Sequence, residues 1–319
     1  MIAFLKLIRI QNLLIIAFTQ YTVRWCLIYP LLKLSGAELQ LSNFIFFLLV
    51  LSTVMIAAAG YIINDYFDIN IDKINKPERL VIGKGIKRRV AIGAHTLINF
   101  LAIIIGLYIS ILVGSWKLVF IHLFWTAGLW FYSTHFKRQF LIGNSIIALF
   151  VALVPLVVGV YDLLPVYRFY WGIAPVNNLN TIWIYIGGIS FFAFITTLLR
   201  EIIKDMEDVD GDAKYGCKTI PIVIGTTYTK YVVILIILFT MVCIAFLQYK
   251  QYLAKDWMAF IYFTLTLQIP FCFLIYKTYS AQTKKDYRIA GNTAKVIMLF
   301  GISYLFLFTY SILNYTHAI

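Results

Sequence analysis

The sequence predicts an all-α, polytopic membrane protein with about nine transmembrane helices around a central cavity, and three observations predict it. Of 319 residues 62% are hydrophobic, and at about 20 residues per crossing plus a short loop the chain has room for roughly ten spans. The apolar residues come in runs of spanning length. Charge is scarce and clustered: of 14 carboxylates, ten fall in two stretches, Asp65, Asp68, Asp72 and Glu78, then Glu201, Asp205, Glu207, Asp208, Asp210 and Asp212. Intramembrane or near-membrane carboxylates are a functional hypothesis by default.

The elements follow in order. A run at 9–33 opens the chain; the segment Met1 to Ile16 lacks a small-residue cleavage site and reads as the start of a span, with no cleaved signal peptide. The run at 42–66 leads into the first acidic stretch. Runs at 90–113 and 117–133 are parted by a break at Gly114 and Ser115, and 140–161 precedes a connector at 162–181 holding Pro165, Pro175 and Asn177-Asn178-Leu179-Asn180. The run at 181–203 leads into the second acidic stretch, and 228–249, 256–279 and 291–314 complete the set. Residues 1–319 thus read as a single integral membrane domain.

Charge orients this arrangement. The loops on one side hold 21 of the 27 Lys and Arg residues, and the other side holds Arg24, Lys33, Lys117, Arg168, Lys250 and Lys255. Cytoplasmic loops carry such an excess, so the N-terminus and both acidic stretches are expected to be cytoplasmic in a cell inner or plasma membrane. The net charge of +13 fits contact with anionic membrane lipid, and no nucleic-acid partner is expected. A soluble enzyme, a disordered tail and a disulfide-stapled secreted domain are excluded. Cys26, Cys217, Cys243 and Cys272 stand singly and read as packing residues. His95, His122, His135 and His317 are scattered, which argues against a histidine metal site.

The two acidic motifs carry the chemistry. Asp65, Asp68 and Asp72 stand at i, i+3 and i+7, as do Asp205, Asp208 and Asp212, each position 140 residues after its counterpart. On a helix that spacing lines one face. Three carboxylates on one face repel each other unless cations are present, and Mg²⁺ supplies that charge while taking phosphate oxygens on its other side. Two such faces could hold a diphosphate between them. An EF-hand reading of Asp208 to Asp212 fails, because Gly211 comes at position four and Thr219 occupies position twelve.

Basic residues flank both motifs: Lys76 and Arg79, Lys137 and Arg138, Lys204, Lys214 and Lys218. Cations at a metal-diphosphate site neutralise the leaving group, a role expected for Arg79, Lys137 and Lys218. The bland alternative, lipid head-group contact, is preferred for Lys87, Arg88 and Arg89. Among the aromatics, Tyr61, Tyr66, Phe67 and Tyr132 lie near enough to the motifs for a pocket role.

At these motifs the chain resembles the UbiA superfamily of intramembrane prenyltransferases. The resemblance rests on NDxxDxxxD at Asn64 to Asp72, the second triad, and the segment from Tyr132 to Arg138 leading into Gly143-Asn144. Leu7 to Asn12, Arg200 to Asp205 and Gly216 to Pro221 look most like geranylgeranylglycerol-phosphate geranylgeranyltransferases. One departure is that Leu80 follows Arg79, where the family often has Pro. The resemblance implies Mg²⁺ held by Asp65, Asp68, Asp72, Asp205, Asp208 and Asp212, with Asn64, binding a prenyl diphosphate. It implies substrate contacts from Arg9, Asn12, Asn64, Lys76, Arg138, Asn144 and Lys204, and catalytic roles for Arg79, Lys137, Lys218 and Tyr132. The implied reaction is transfer of a prenyl group, geranylgeranyl in the nearest subfamily, to a lipophilic acceptor such as a glycerol-phosphate ether lipid. For an anionic acceptor, Lys6, Arg9, Lys137 and Lys218 are the candidate cations.

Other readings stay open at this level. An aromatic acceptor of quinone or haem biosynthesis needs fewer cations. A cation-coupled transporter would place carboxylates near the midplane on interrupted helices, whereas these sit at helix ends on one side. A lipid-binding scaffold gives no reason for two matched triads.

Overall fold

A computed structural model describes residues 2–171 and 179–317, with the backbone path alone for Arg79 and for 313–317. Its helices are α1 (Ile2–Leu7), α2 (Ile10–Leu34), α3 (Asn43–Asn75), α4 (Arg88–Leu112), α5 (Val119–Thr134), α6 (Ile142–Phe169), α7 (Leu179–Lys214), α8 (Ile220–Ile224), α9 (Thr226–Leu253), α10 (Trp257–Ser280) and α11 (Lys284–His317). Among the described residues there is no β-strand, only a bridge between Ile82 and Ile86 in the α3–α4 loop.

Eight of these helices are long and apolar enough to cross a membrane. The expected run at 117–133 forms α5, whose 16 residues span about 24 Å, short of a hydrocarbon core of about 30 Å. The expected run at 140–161 continues to Phe169, because Pro165 is taken inside the helix. The expected connector at 162–181 shrinks accordingly, and its 172–178 portion, with Pro175, Asn177 and Asn178, lies outside the described residues.

Local chemistry sets several boundaries. The Ser42 hydroxyl accepts from Ile45 N at the start of α3, and the Asp256 carboxylate accepts from Ala259 N at the start of α10. Within α2 and α10 the residues Arg24–Ile28 and Thr264–Gln268 adopt π-helical turns just before Pro30 and Pro270. A proline ring clashes with the carbonyl four residues earlier, and widening that turn relieves the clash without breaking the helix.

The core has three parts: one, around Leu7, Leu13, Ile62 and Ala91, joins α1 through α4, and the other two share α7. Val23, Leu27, Phe46, Leu49 and Val158 pack with Ile182 and Ile186 in one of these two; Ile195, Leu199 and Ile203 pack with Val233, Phe271 and Ala294 in the other. Large apolar side chains on the outside, such as Phe100, Ile104, Ile111, Leu235, Val242 and Phe246, are exposed at helical spacing, as a lipid-facing surface requires. Asp162, expected in a connector, is instead buried in α6, with Oδ1 at 3.3 Å from Nη1 of the equally buried Arg24. Arg24 also donates to Leu41 O at 2.5 Å and lies over the Phe46 ring, so this pair ties α2, the α2–α3 loop and α6 together.

The feature that positions the site is helix length. At 33 and 36 residues, α3 and α7 run about 50 Å and 54 Å, well beyond a hydrocarbon core of about 30 Å. Their surplus C-terminal turns carry the two aspartate motifs.

Candidate active site

The surplus ends of α3 and α7 are docked by Asn75. Its side chain donates to Asp208 O at 2.8 Å and accepts from Gly211 N at 2.8 Å, joining the end of one motif helix to the other motif. Gly211 is required there, since a Cβ would lie 2.5–2.7 Å from the Asn75 amide. Around this junction opens a cavity of about 890 Å³, walled by the start of α2, the end of α3, the turn at Phe136–Arg138, the end of α7 and the start of α11.

Chain cations hold three of the six aspartates. Arg9 Nη2 donates to Asp65 Oδ1 at 2.7 Å; Lys137 Nζ donates to Asp68 Oδ2, which also accepts from Asn64 Nδ2 at 2.9 Å; and Lys76 Nζ lies 2.7 Å from the Asp208 carboxylate. Arg9 reaches Asp65 because the break between α1 and α2 puts it at φ +52°, a left-handed backbone that costs a non-glycine residue roughly 1–2 kcal/mol. Its guanidinium also sits 4.9 Å from the centre of the Tyr61 ring. Burial alone would pull the Lys137 ammonium down, but Asp68, Tyr132 and Asp212 together outweigh it and the net shift is upward, so Lys137 stays charged. The turn bearing Lys137 lies on Gly143, where a Cβ would come within 2.9 Å of the Lys137 Cα and the Phe136 carbonyl oxygen.

The other three aspartates, Asp72, Asp205 and Asp212, have no Lys, Arg or His nitrogen within 4.0 Å among the described residues. They line a narrow recess with Tyr132, Lys137, Asn144 and Lys204, and Asn144 Nδ2 donates to Asp205 Oδ2 at 2.8 Å. The donors are hard oxygens, the kind Mg²⁺ takes, and the surplus negative charge fits a cation. Among the described residues no three acidic, His or Cys side chains converge on one point. An ion held by these carboxylates would leave positions for water and phosphate oxygens, as Mg²⁺ commonly does.

Of the residues singled out by sequence, the structure brings Lys6, Arg9, Asn12, Asn64, Lys76, Tyr132, Lys137, Asn144, Lys204 and all six aspartates to the cavity and its recess. Arg138 and Lys218 have exposed side chains away from those walls, and their meeting is through the backbone, Lys218 N donating to Arg138 O at 2.8 Å. The Arg79 side chain lies outside the described residues; its backbone forms a 3₁₀ turn with Pro77 and Glu78. Sequence reading passed over Asn75, Arg200, Arg288 and Lys295. The spacing of Arg288 and Lys295 at i and i+7 could have signalled a polar face on the last helix. The four unassigned acidic residues now have partners: Glu201 with Arg200 and Lys204, Glu207 with Arg288, Asp210 with Lys284, and Glu78 with Arg288 at 4.0 Å.

Residues 26–300 match the UbiA prenyltransferase family model. The chain belongs to the UbiA prenyltransferase family. This UbiA protein is therefore a prenyltransferase, built as a multi-pass helical membrane protein. It is 32% identical over 241 residues to the digeranylgeranylglyceryl phosphate synthase of Sulfurisphaera tokodaii, covering 74% of this chain and 75% of that one. It is likewise 32% identical over 230 residues to the synthase of that name from Sulfolobus acidocaldarius, covering 71% of each. Among solved structures, it resembles one concerning digeranylgeranylglyceryl phosphate synthase in membranes, with TM-score 0.59, 24% identity and 96% and 97% of the two chains covered. It also resembles a UbiA homologue from Archaeoglobus fulgidus bound to DMAPP and Mg²⁺, with TM-score 0.56, 15% identity and coverage of 94% and 98%. At these identities the structural likeness speaks to the fold.

Proposed function

We propose that this enzyme transfers a geranylgeranyl group from its diphosphate to geranylgeranylglyceryl phosphate in membrane lipid synthesis, with Mg²⁺ as cofactor and the site on the cytoplasmic side. The observation that carries the reading is the docking of two aspartate-bearing helix ends, α3 and α7, onto one cavity whose walls also carry Arg9, Lys76, Lys137, Arg200, Lys204 and Lys295. The names of the relatives support the substrate pair, and the Archaeoglobus homologue supports the metal.

The residues divide the work. Asp65, Asp68, Asp72, Asp205, Asp208 and Asp212, with Asn64, would hold the metal, which when bound would offset charge on the diphosphate and make it a better leaving group. As the allylic C–O bond breaks, its electron pair goes to the diphosphate, and Lys76, Lys137 and Arg9 meet that charge with fixed cations in a site of low dielectric. Lys137 shares Asp68 with Asn64, so its ammonium is oriented before the donor arrives. Asn144 fixes the Asp205 carboxylate. Tyr132, buried in the recess wall, helps exclude water from the allylic cation and offers it a π face. The acceptor hydroxyl then forms the new C–O bond and gives up its proton.

The test incubates purified protein with Mg²⁺, geranylgeranyl diphosphate and a panel of acceptors, and identifies products by mass. A diether product from geranylgeranylglyceryl phosphate, abolished by chelation and by Asp65→Ala or Asp208→Ala in folded protein, is expected. Product only from an aromatic acid would overturn the acceptor, and full activity in both variants would overturn the metal ligands.

A further inference from the structure

Two cations on the cavity wall, Lys6 and Lys295, have no carboxylate oxygen within 4.0 Å among the described residues; Lys6 is exposed, where water screens its charge, and only Lys295 is half-buried. Arg9, Lys76, Lys137, Arg200, Lys204 and Arg288 each have a carboxylate oxygen within 4.0 Å. The Lys295 ammonium donates at 2.8 Å to the neutral Asn12 Oδ1. It stands on α11, and the like charge of Arg200 acts on it across the same wall. Keeping an unpaired ammonium there is costly unless an anion joins it.

The surroundings say what kind of anion. Asn12, Arg200 and Lys295 mark where three helices change character. One turn deeper on the same helices, Ile15 and Ile16 of α2, Thr196 of α7 and Met298 of α11 line a second cavity of about 820 Å³, whose walls are largely apolar. Along α11 the first cavity is lined by Arg288, Gly291 and Lys295, and the second by Met298, Gly301, Ile302 and Leu305, one continuous face at helical spacing. An acidic head at Lys295 with a hydrocarbon chain beyond Met298 matches both halves.

We propose that Lys295, positioned by Asn12 and reinforced by Arg200, binds the acceptor's phosphate, so that the acceptor is an amphiphile with its phosphate monoester at the Asn12–Lys295 contact and its chain along the apolar wall. This rests on the reading of the enzyme as a transferase to a glyceryl phosphate lipid. It assigns the donor diphosphate and the acceptor phosphate to different cations.

Initial rates of the full-length protein with Mg²⁺, varying each substrate in turn, test it. Lys295→Gln should raise the acceptor KM by about tenfold or more, the scale of one charge-assisted hydrogen bond, while leaving the donor KM unchanged. Lys295→Arg should retain most of the acceptor affinity. Geranylgeranylglycerol, lacking the phosphate, should be a poor acceptor for the wild type and lose nothing further in Lys295→Gln. A rise confined to the donor KM, or an equal loss on the phosphate-free acceptor, would overturn the assignment. Equilibrium binding of geranylgeranylglyceryl phosphate without donor or metal reads the subsite apart from turnover. About tenfold weaker binding to Lys295→Gln supports it even if the wild type makes no diether, in which case only the proposed reaction falls; equal binding overturns the subsite alone. Inorganic phosphate should compete weakly, and competition matching the lipid would remove the role of the apolar wall.

Discussion

At the scale of single residues, the basic residues around the motifs separate by where their charge goes. Lys137 spends its charge on Asp68 inside the cavity, whereas Lys218 is exposed and touches the site's frame only through its backbone bond to Arg138. Sequence proximity to an aspartate could not tell these apart, because both sit near turn residues a few positions from a motif. Lys137→Gln should therefore lower kcat/KM by about 10²-fold or more, the size of losing one fixed charge at a developing anion. Lys218→Gln should stay close to wild type. Parallel rate measurements on the two folded variants check this, and the reverse order would mean that Lys218 swings into the cavity when substrate binds.

At the scale of elements, the joint between α3 and α7 is the part of the site most exposed to test. Asn75→Ala removes both hydrogen bonds of the joint, which should cost about 1–3 kcal/mol and lower the melting temperature. It should also lower kcat/KM by tenfold to about 10²-fold, because the two motifs lose their relative placement. Gly211→Ala pushes a methyl group into the Asn75 amide and should do the same harm. The double variant should then be no worse than either single one, since one joint can be lost only once. Additive losses in thermal melts and rates would show that the two residues act separately. The helices themselves were legible in the sequence: apolar runs gave the membrane segments, and the i, i+3, i+7 spacing gave helical motifs. Their continuation to Asn75 and Lys214 was not, because a run of apolar residues marks where a helix meets lipid and says nothing of where its hydrogen bonding stops. The joint was equally hidden. Asn75 and Gly211 are ordinary helix-end residues until the fold sets them 2.8 Å apart.

At the scale of the whole molecule, sidedness turns on α5, the helix too short by length to count as a span. Its neighbours settle its course within the bundle. Before it, Val113 accepts from Arg168 Nη1 and Leu118 from Tyr161 Oη, both donors on the C-terminal half of α6. After it, Lys137 reaches Asp68 and Asn144 reaches Asp205 at the aspartate end. The chain thus travels from one end of the bundle to the other between residues 118 and 137, although α5 alone covers only about 24 Å. The adjoining 3₁₀ turns, Trp116–Leu118 and Phe136–Arg138, extend that path. Taken with the excess of Lys and Arg at the aspartate end, the proposed orientation predicts Lys87 and Gln139 in the cytoplasm and Lys117 outside. With the native cysteines replaced by serine, single Lys87→Cys, Lys117→Cys and Gln139→Cys variants can be treated in intact cells with a membrane-impermeant maleimide. Lys117→Cys should label at once, and the other two only after permeabilisation. Labelling of Lys117→Cys and Gln139→Cys from the same side would mean that α5 does not cross, and labelling of Lys87→Cys from outside would invert the orientation and move the aspartate cavity to the outer face.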